Sequence, residues 1–215
     1  MPKNKIQTLQ NATIIFWDFD GVIKESVEVK SVAFEQLFLP FGREVARKVR
    51  KHHEEHSGVS RYDKIPVYLS WVGLDATNDI VREYCEKFSR LVKQAVINAS
   101  WVPGAREYIL ENCEKQYFVL ITATPQEEIE QILAALDLTY CFREIYGAPM
   151  KKEIAIHDVL ERLQCENDTA LVIGDSEADF KAADKNNLMF LLRRTEFNKA
   201  LQERFTGISI GCLKF

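Results

Sequence analysis

No apolar run in the 215-residue sequence approaches the roughly 18 residues of a membrane-spanning helix, and the polar stretch Met1 to Asn11 does not resemble a signal peptide. Cysteines are few and scattered: Cys85, Cys113, Cys141, Cys165 and Cys212 are odd in number and form no C-x-x-C pair. That argues against a disulfide framework and a thiolate zinc site, and it suggests reduced, packed residues of a cytoplasmic protein. Basic charge is not in excess, with 28 Lys and Arg against 32 Asp and Glu and a net charge of −4. A general affinity for nucleic acid is therefore not expected. There is no internal repeat and no low-complexity segment, which excludes a solenoid or a disordered linker. What remains is 47% hydrophobic residues in a length suited to one large globular domain, or to a core carrying an insertion.

The run Ile14-Ile15-Phe16-Trp17 carries no charge and ends in Asp18-Phe19-Asp20-Gly21-Val22-Ile23. The apolar part suits a fully buried strand. Burying a carboxylate without a partner costs several kcal/mol, so Asp18 and Asp20 are expected at the open end of a sheet. Gly21 lets the chain turn away, and in open parallel sheets ligands bind at the carboxyl ends of strands. An ordinary strand-to-turn boundary also favours Asp and Gly, so the motif alone leaves both readings open.

The pattern then becomes helical. Val27, Val32, Phe34, Leu37 and Phe38 predict an amphipathic helix stopping near Pro40-Phe41-Gly42. A basic run, Arg47 to His53, leads to the turn Ser57-Gly58-Val59-Ser60, and a helix is predicted over Thr77 to Ala99 with Ile80, Tyr84, Phe88, Leu91 and Val92 on one face. These roughly 75 residues show no second buried strand and read as an all-helical insertion. From Val102-Pro103-Gly104 strands and helices alternate. Strands are predicted at Tyr117–Thr122, near Ile145, at Ala170–Gly174, at Met189–Leu192 and at Ile208–Ile210. Thr124, Pro125 and Glu127 are expected to form a capped helix start. The fold class is therefore α/β: a Rossmann-like, mostly parallel sheet flanked by helices, with core segments 1–23 and 100–215 and a helical cap over 24–99.

Asp18 and Asp20, Thr122, and Asp175 with Asp179 end three separate strands, and a lysine begins a helix between the last two. Like charges at 4 Å repel by about 4 kcal/mol at an effective dielectric of 20, so a cation is needed among the carboxylates. The donors are hard oxygens without Cys or His, which favours Mg²⁺ over Zn²⁺. A lysine and a hydroxyl beside such a metal suit a phosphoryl dianion. One carboxylate attacks phosphorus and a second moves the proton.

On these residues the chain resembles the haloacid dehalogenase-like hydrolase superfamily, in the branch with a helical cap inserted after the first motif. Asp18-Phe19-Asp20-Gly21-Val22 matches its D-x-D-G-[VT] signature, Thr122 its second motif, and Gly174-Asp175-Ser176-Glu177-Ala178-Asp179 its G-D-x-x-x-D motif. The resemblance implies a phosphatase with Asp18 as nucleophile, Asp20 as acid and base, and Mg²⁺ held by Asp18, the Asp20 carbonyl and Asp175, supported by Asp179. Thr122 and the Ala123 amide are implied to hold phosphate oxygens. Lys152 is preferred as the motif lysine over Lys151, because it sets Ile156, Val159 and Leu160 at the spacing of this branch. Gly21, Ala123 and Arg61 are assigned to substrate binding. Arg61 follows a turn where relatives carry a loop facing the site, though a solvated arginine is the plainer alternative. Glu25 in place of Asp and Ala123 in place of Asn depart from the pattern of many relatives.

Asp20 favours a phosphatase or a phosphosugar mutase over a dehalogenase. The expected substrate is a small phosphorylated metabolite, with a sugar phosphate the family leaning. Two rivals stand beside this. His52 and His56 share a helical face that suits zinc, but the order is not H-E-x-x-H and no third ligand is evident. The Arg43 to His53 run suits a binding module docking on an anionic partner, against the default of a solvated helix face. Neither a membrane nor a nucleic-acid partner is expected, and oligomeric state is not legible.

Overall fold

The structure is a computed structural model that describes residues 5–165 and 167–214. Six strands form one sheet: β1 (Ile14–Trp17), β2 (Tyr117–Pro125), β3 (Glu144–Ala148), β4 (Ala170–Gly174), β5 (Met189–Arg193) and β6 (Ile208–Ile210). Their order is β3-β2-β1-β4-β5-β6 and every pairing is parallel. The expected α/β, Rossmann-like sheet is thus present. Both neighbours of β1 were reached by crossovers in opposite directions, so the crevice at the top of β1 is the topological switch point where such sheets bind ligands.

The sheet is buried on both faces, and the strand sequences show why. Along β1, Ile15 and Trp17 pack into one apolar cluster while Ile14 and Phe16 pack into another. Leu171 and Ile173 against Ala170 and Val172 repeat this along β4. Helices α8 (Lys152–Leu163) and α9 (Glu177–Lys185) cover the second face through Ile156, Val159, Ala182 and Ala183. On the first face lie α1 (Lys5–Asn11), α6 (Ala105–Asn112) and α7 (Gln126–Ala135). A short α10 (Lys199–Arg204) precedes β6.

Between β1 and β2 run α2 (Val27–Phe38), α3 (Arg43–Glu55), α4 (Arg61–Trp71) and α5 (Asn78–Asn98), with no strand among the described residues. Their own core, which includes Phe34, Phe38, Tyr68, Phe88 and Val92, is continuous with the first face of the sheet. The chain leaves the sheet at Lys24 and returns at Trp101, and these two residues pair in an isolated antiparallel bridge. Lys24 is buried there, with Nζ donating to the Ile97 carbonyl at 3.0 Å and lying 4.1 Å from the Trp101 ring centroid.

Five local readings are corrected. Helix α4 lies where no separate helix was predicted; Pro66 is inside it, and Ser60 starts it by accepting from the Tyr62 amide. Helix α5 has Thr77 as its N-cap, but Leu91 faces solvent and Cys85 takes its place on the buried face. Strand β2 runs past Thr122 to Pro125 through a register irregularity. The capping box at Thr124 therefore does not form: α7 starts at Gln126 after Pro125, and the Thr124 hydroxyl turns to Lys30 and Asp20 instead. The basic run is also less solvated than expected. Arg50 is bound by Glu28, Glu35 and Glu54, and His53 is buried.

Candidate active site

Asp18 continues β1 with its amide donating to the Ile173 carbonyl at 2.9 Å, which places it between the ends of β2 and β4. Asp175 follows β4 and Asp179 lies in the first turn of α9. One carboxylate oxygen from each of Asp18, Asp175 and Asp179 falls within 4.8 Å of the others, and all three residues are buried. Gly21 makes this possible. Its φ is +76°, and a Cβ there would stand 2.3 Å from the Asp175 carboxylate. Asp179 is held by a capping box: its Oδ2 accepts from the Ser176 amide and hydroxyl, at 3.1 and 2.6 Å.

Lys152 opens α8 and is buried, donating to Asp18 Oδ1 at 2.7 Å and to Asp179 Oδ1 at 2.5 Å. Lys151 is exposed at the N-cap. Burial opposes the Lys152 charge, but the two carboxylates prevail and raise its pKa. Burial, the charge of Asp179 and that of Asp20 push Asp18 up to about 7, against the pull of Lys152. Asp175 is driven well above the carboxylate range by burial and by Asp18 and Asp179. Three buried carboxylates thus share one ammonium. An all-oxygen donor set short of positive charge fits a hard divalent cation such as Mg²⁺.

The Asp20 carboxylate points elsewhere. Its Oδ1 accepts from the Ser26 hydroxyl at 2.6 Å, and its Oδ2 meets the Lys30 ammonium and, at 3.4 Å, the Thr124 hydroxyl. Burial would raise its pKa, but the charge and hydrogen bond of Lys30 hold it below the ordinary value. Lys30 was missed in the sequence, although it lies three residues after Val27 and four before Phe34, on the buried face of α2. Thr122 is buried at the mouth of β2, where its Oγ1 accepts from the Thr124 amide at 3.2 Å.

A small cleft of about 40 Å³ is lined by Asp18, Asp20 and Ala123 from the sheet side and by Lys30, His53, Gly58 and Arg61 from the inserted helices. Gly58 has φ +78°, and a Cβ there would come within 2.2 Å of the Ser176 hydroxyl. The turn between α3 and α4 therefore rests on the start of α9. Arg61 is buried rather than solvated: it forms a bidentate pair with Glu128 of α7, at 2.8 and 2.5 Å, and donates to Ser89 at 2.7 Å. Glu128 had no sequence signal beyond its place near the start of a helix. The structure brings together Asp18, Asp175, Asp179 and Lys152, and gathers Asp20, Ala123 and Arg61 around the adjoining cleft; Gly21 serves as the turn that admits Asp175. His52 and His56 stack on one another at 3.9 Å, and among the described residues no third ligand joins them.

The family model described as haloacid dehalogenase-like hydrolase matches residues 14–192. A phosphoglycolate phosphatase of Pseudomonas savastanoi pv. phaseolicola is 27% identical over 179 residues, covering 79% of this chain and 65% of the relative. The chain thus spans about two thirds of the length of the curated relatives it matches. CbbY from Rhodobacter sphaeroides, solved with xylulose-(1,5)bisphosphate, superposes with a TM-score of 0.73 at 18% identity, over 94% of this chain and 95% of that one. A β-phosphoglucomutase from Clostridium difficile gives 0.73 at 17% identity, over 94% and 92%. At these identities the two structures share the fold.

Proposed function

The chain belongs to the haloacid dehalogenase-like hydrolase family, and on that premise we propose that it is a phosphatase acting on a small phosphorylated metabolite. The observation that carries the reading is Asp18: buried at the switch point, clustered with Asp175 and Asp179, with Lys152 on one oxygen and the cleft beside it. Asp18 Oδ2, which has no hydrogen-bond partner among the described residues, attacks phosphorus. The bond from phosphorus to the ester oxygen breaks, and Asp20 in its protonated form, which the Lys30 pair disfavours in the free protein, delivers a proton to that oxygen. Water then gives a proton to Asp20 and attacks the same phosphorus, which frees Asp18 and releases phosphate. Lys152 holds Asp18 in line, and Thr122 with the Ala123 amide holds phosphoryl oxygens.

Mg²⁺, held by Asp18, Asp175 and the Asp20 carbonyl with Asp179 alongside, would supply the charge that offsets the phosphoryl oxygens. The inserted helices over 24–99 act as a cap, closed against the core through Gly58 and Arg61. Arg61 reaches the substrate as a group already oriented by Glu128. The curated relatives are named for phosphoglycolate, and a neighbour of like fold holds a sugar bisphosphate; the tight cleft supports a short remainder beyond the phosphoryl group.

The test is release of inorganic phosphate from p-nitrophenyl phosphate by the Mg²⁺-loaded protein, with Asp18→Asn alongside. The wild type is expected to turn over and the variant to lose more than 95% of kcat, about 2 kcal/mol or more of transition-state stabilisation. A folded Asp18→Asn protein with near wild-type turnover sinks the assignment.

A further inference from the structure

The lysine and the arginine that the inserted helices place on the cleft wall each hold a carboxylate: Lys30 holds Asp20 and Arg61 holds Glu128. A lysine one step behind that wall differs. Lys64 of α4 is 2% exposed, and among the described residues its hydrogen-bond partner is His53 Nδ1, at 2.9 Å. No carboxylate pairs with it among the described residues. His53, 7% exposed, lies with its ring 4.7 Å from that of Phe34 and lines the cleft that holds Asp18.

With Lys64 charged, its ammonium can only donate; Nδ1 then accepts, and the neutral imidazole carries its proton on Nε2. Nε2 has no protein partner among the described residues. Burial, then the charges of Lys64 and Lys30, keep His53 well below the ordinary imidazole range. Burial and then Lys30 push Lys64 down to about 7, against Asp20 and Asp63. The cleft wall thus carries His53 backed by a lysine that has no carboxylate pair among the described residues, an arrangement that an anionic acceptor would complete.

We propose that His53, with its tautomer set by Lys64, is a specificity-determining residue that binds a carboxylate on the part of the substrate beyond the phosphoryl group. The proposal rests on the phosphoryl site assigned above. A carboxylate satisfies the donor and offsets the Lys64 charge, and a cleft of about 40 Å³ places it only a few bonds from phosphorus.

The experiment compares binding of 3-phosphonopropionate and propylphosphonate to the Mg²⁺-loaded full chain by calorimetry, since neither offers a phosphate ester to hydrolyse. In the wild type the carboxylate should add about tenfold or more in affinity. His53→Phe, which keeps the ring against Phe34, and Lys64→Met, which keeps the stem, should each remove most of that advantage. Equal affinity of the two phosphonates in the wild type overturns the proposal, as does an advantage that survives in both variants. Should His53→Phe fail to fold, Lys64→Met and the wild-type comparison decide. A carboxylate advantage without p-nitrophenyl phosphate turnover would remove the phosphatase reading and leave this one standing.

Discussion

Adjacent lysines at the start of α8 have opposite environments. Lys152 is buried between two carboxylates and Lys151 is exposed, with no ion pair among the described residues. Lys152→Ala should lower kcat by about 10²-fold or more, because a charge contact made in the transition state is lost. Lys151→Ala should leave kcat within about twofold, and steady-state kinetics on p-nitrophenyl phosphate compares them directly. The reverse ranking would move the role by one residue. The sequence preference for Lys152 rested on the family resemblance, through its spacing to Ile156, Val159 and Leu160. Lys30 and His53 were not legible as site residues. Each lies on the apolar side of its helix, at Val27 plus three and Val49 plus four, but its meaning comes from partners far along the chain: Thr124 for one, Lys64 for the other.

At the level of elements, the join between α4 and α7 is the Arg61–Glu128 pair, with Ser89 of α5 as third member. Both ionic side chains are buried, so removing one strands the other. Glu128→Ala and Arg61→Ala should each lower unfolding free energy by about 3–5 kcal/mol, and the double variant should lose far less than the sum. Urea denaturation of the four proteins measures the coupling, and additive losses would show that the pair does not act as a unit. Burial pushes the Glu128 carboxyl up, but Arg61 and Ser89 hold it below its ordinary value. Its contribution to stability is therefore complete above the ordinary carboxylate range and declines as pH falls through the lowered value. The strands were readable because period-two alternation and unbroken apolar runs mark a sheet covered on both faces. Helix α4 carries a proline in its interior, which local rules disfavour, and the false helix start at Thr124 arose because a hydroxyl suited to capping was engaged by Lys30. Local rules misread that threonine because its partner lies 94 residues away.

For the molecule as a whole, the carboxylate cluster is a store of repulsion that a cation releases. Mg²⁺ should raise the melting temperature in a concentration-dependent way, since a ligand of the folded state alone stabilises by mass action. Asp175→Asn should blunt that response, whereas EDTA should abolish turnover and Ca²⁺ should suppress it through its looser coordination. Full activity in metal-stripped protein, or a melting temperature indifferent to Mg²⁺, would overturn the cation reading. The two backbone crossings at Lys24 and Trp101 carry a separate consequence. Any swing of the inserted helices must twist this bridge, and an ammonium stands 4.1 Å from the indole centroid there. Trp17 sits in β1 and Trp71 in α4, each within a single body. The protein thus carries its own optical gauge: if the proposed cap opens and closes, emission from Trp101 should shift with it, and stopped-flow fluorescence would time that motion without any attached dye.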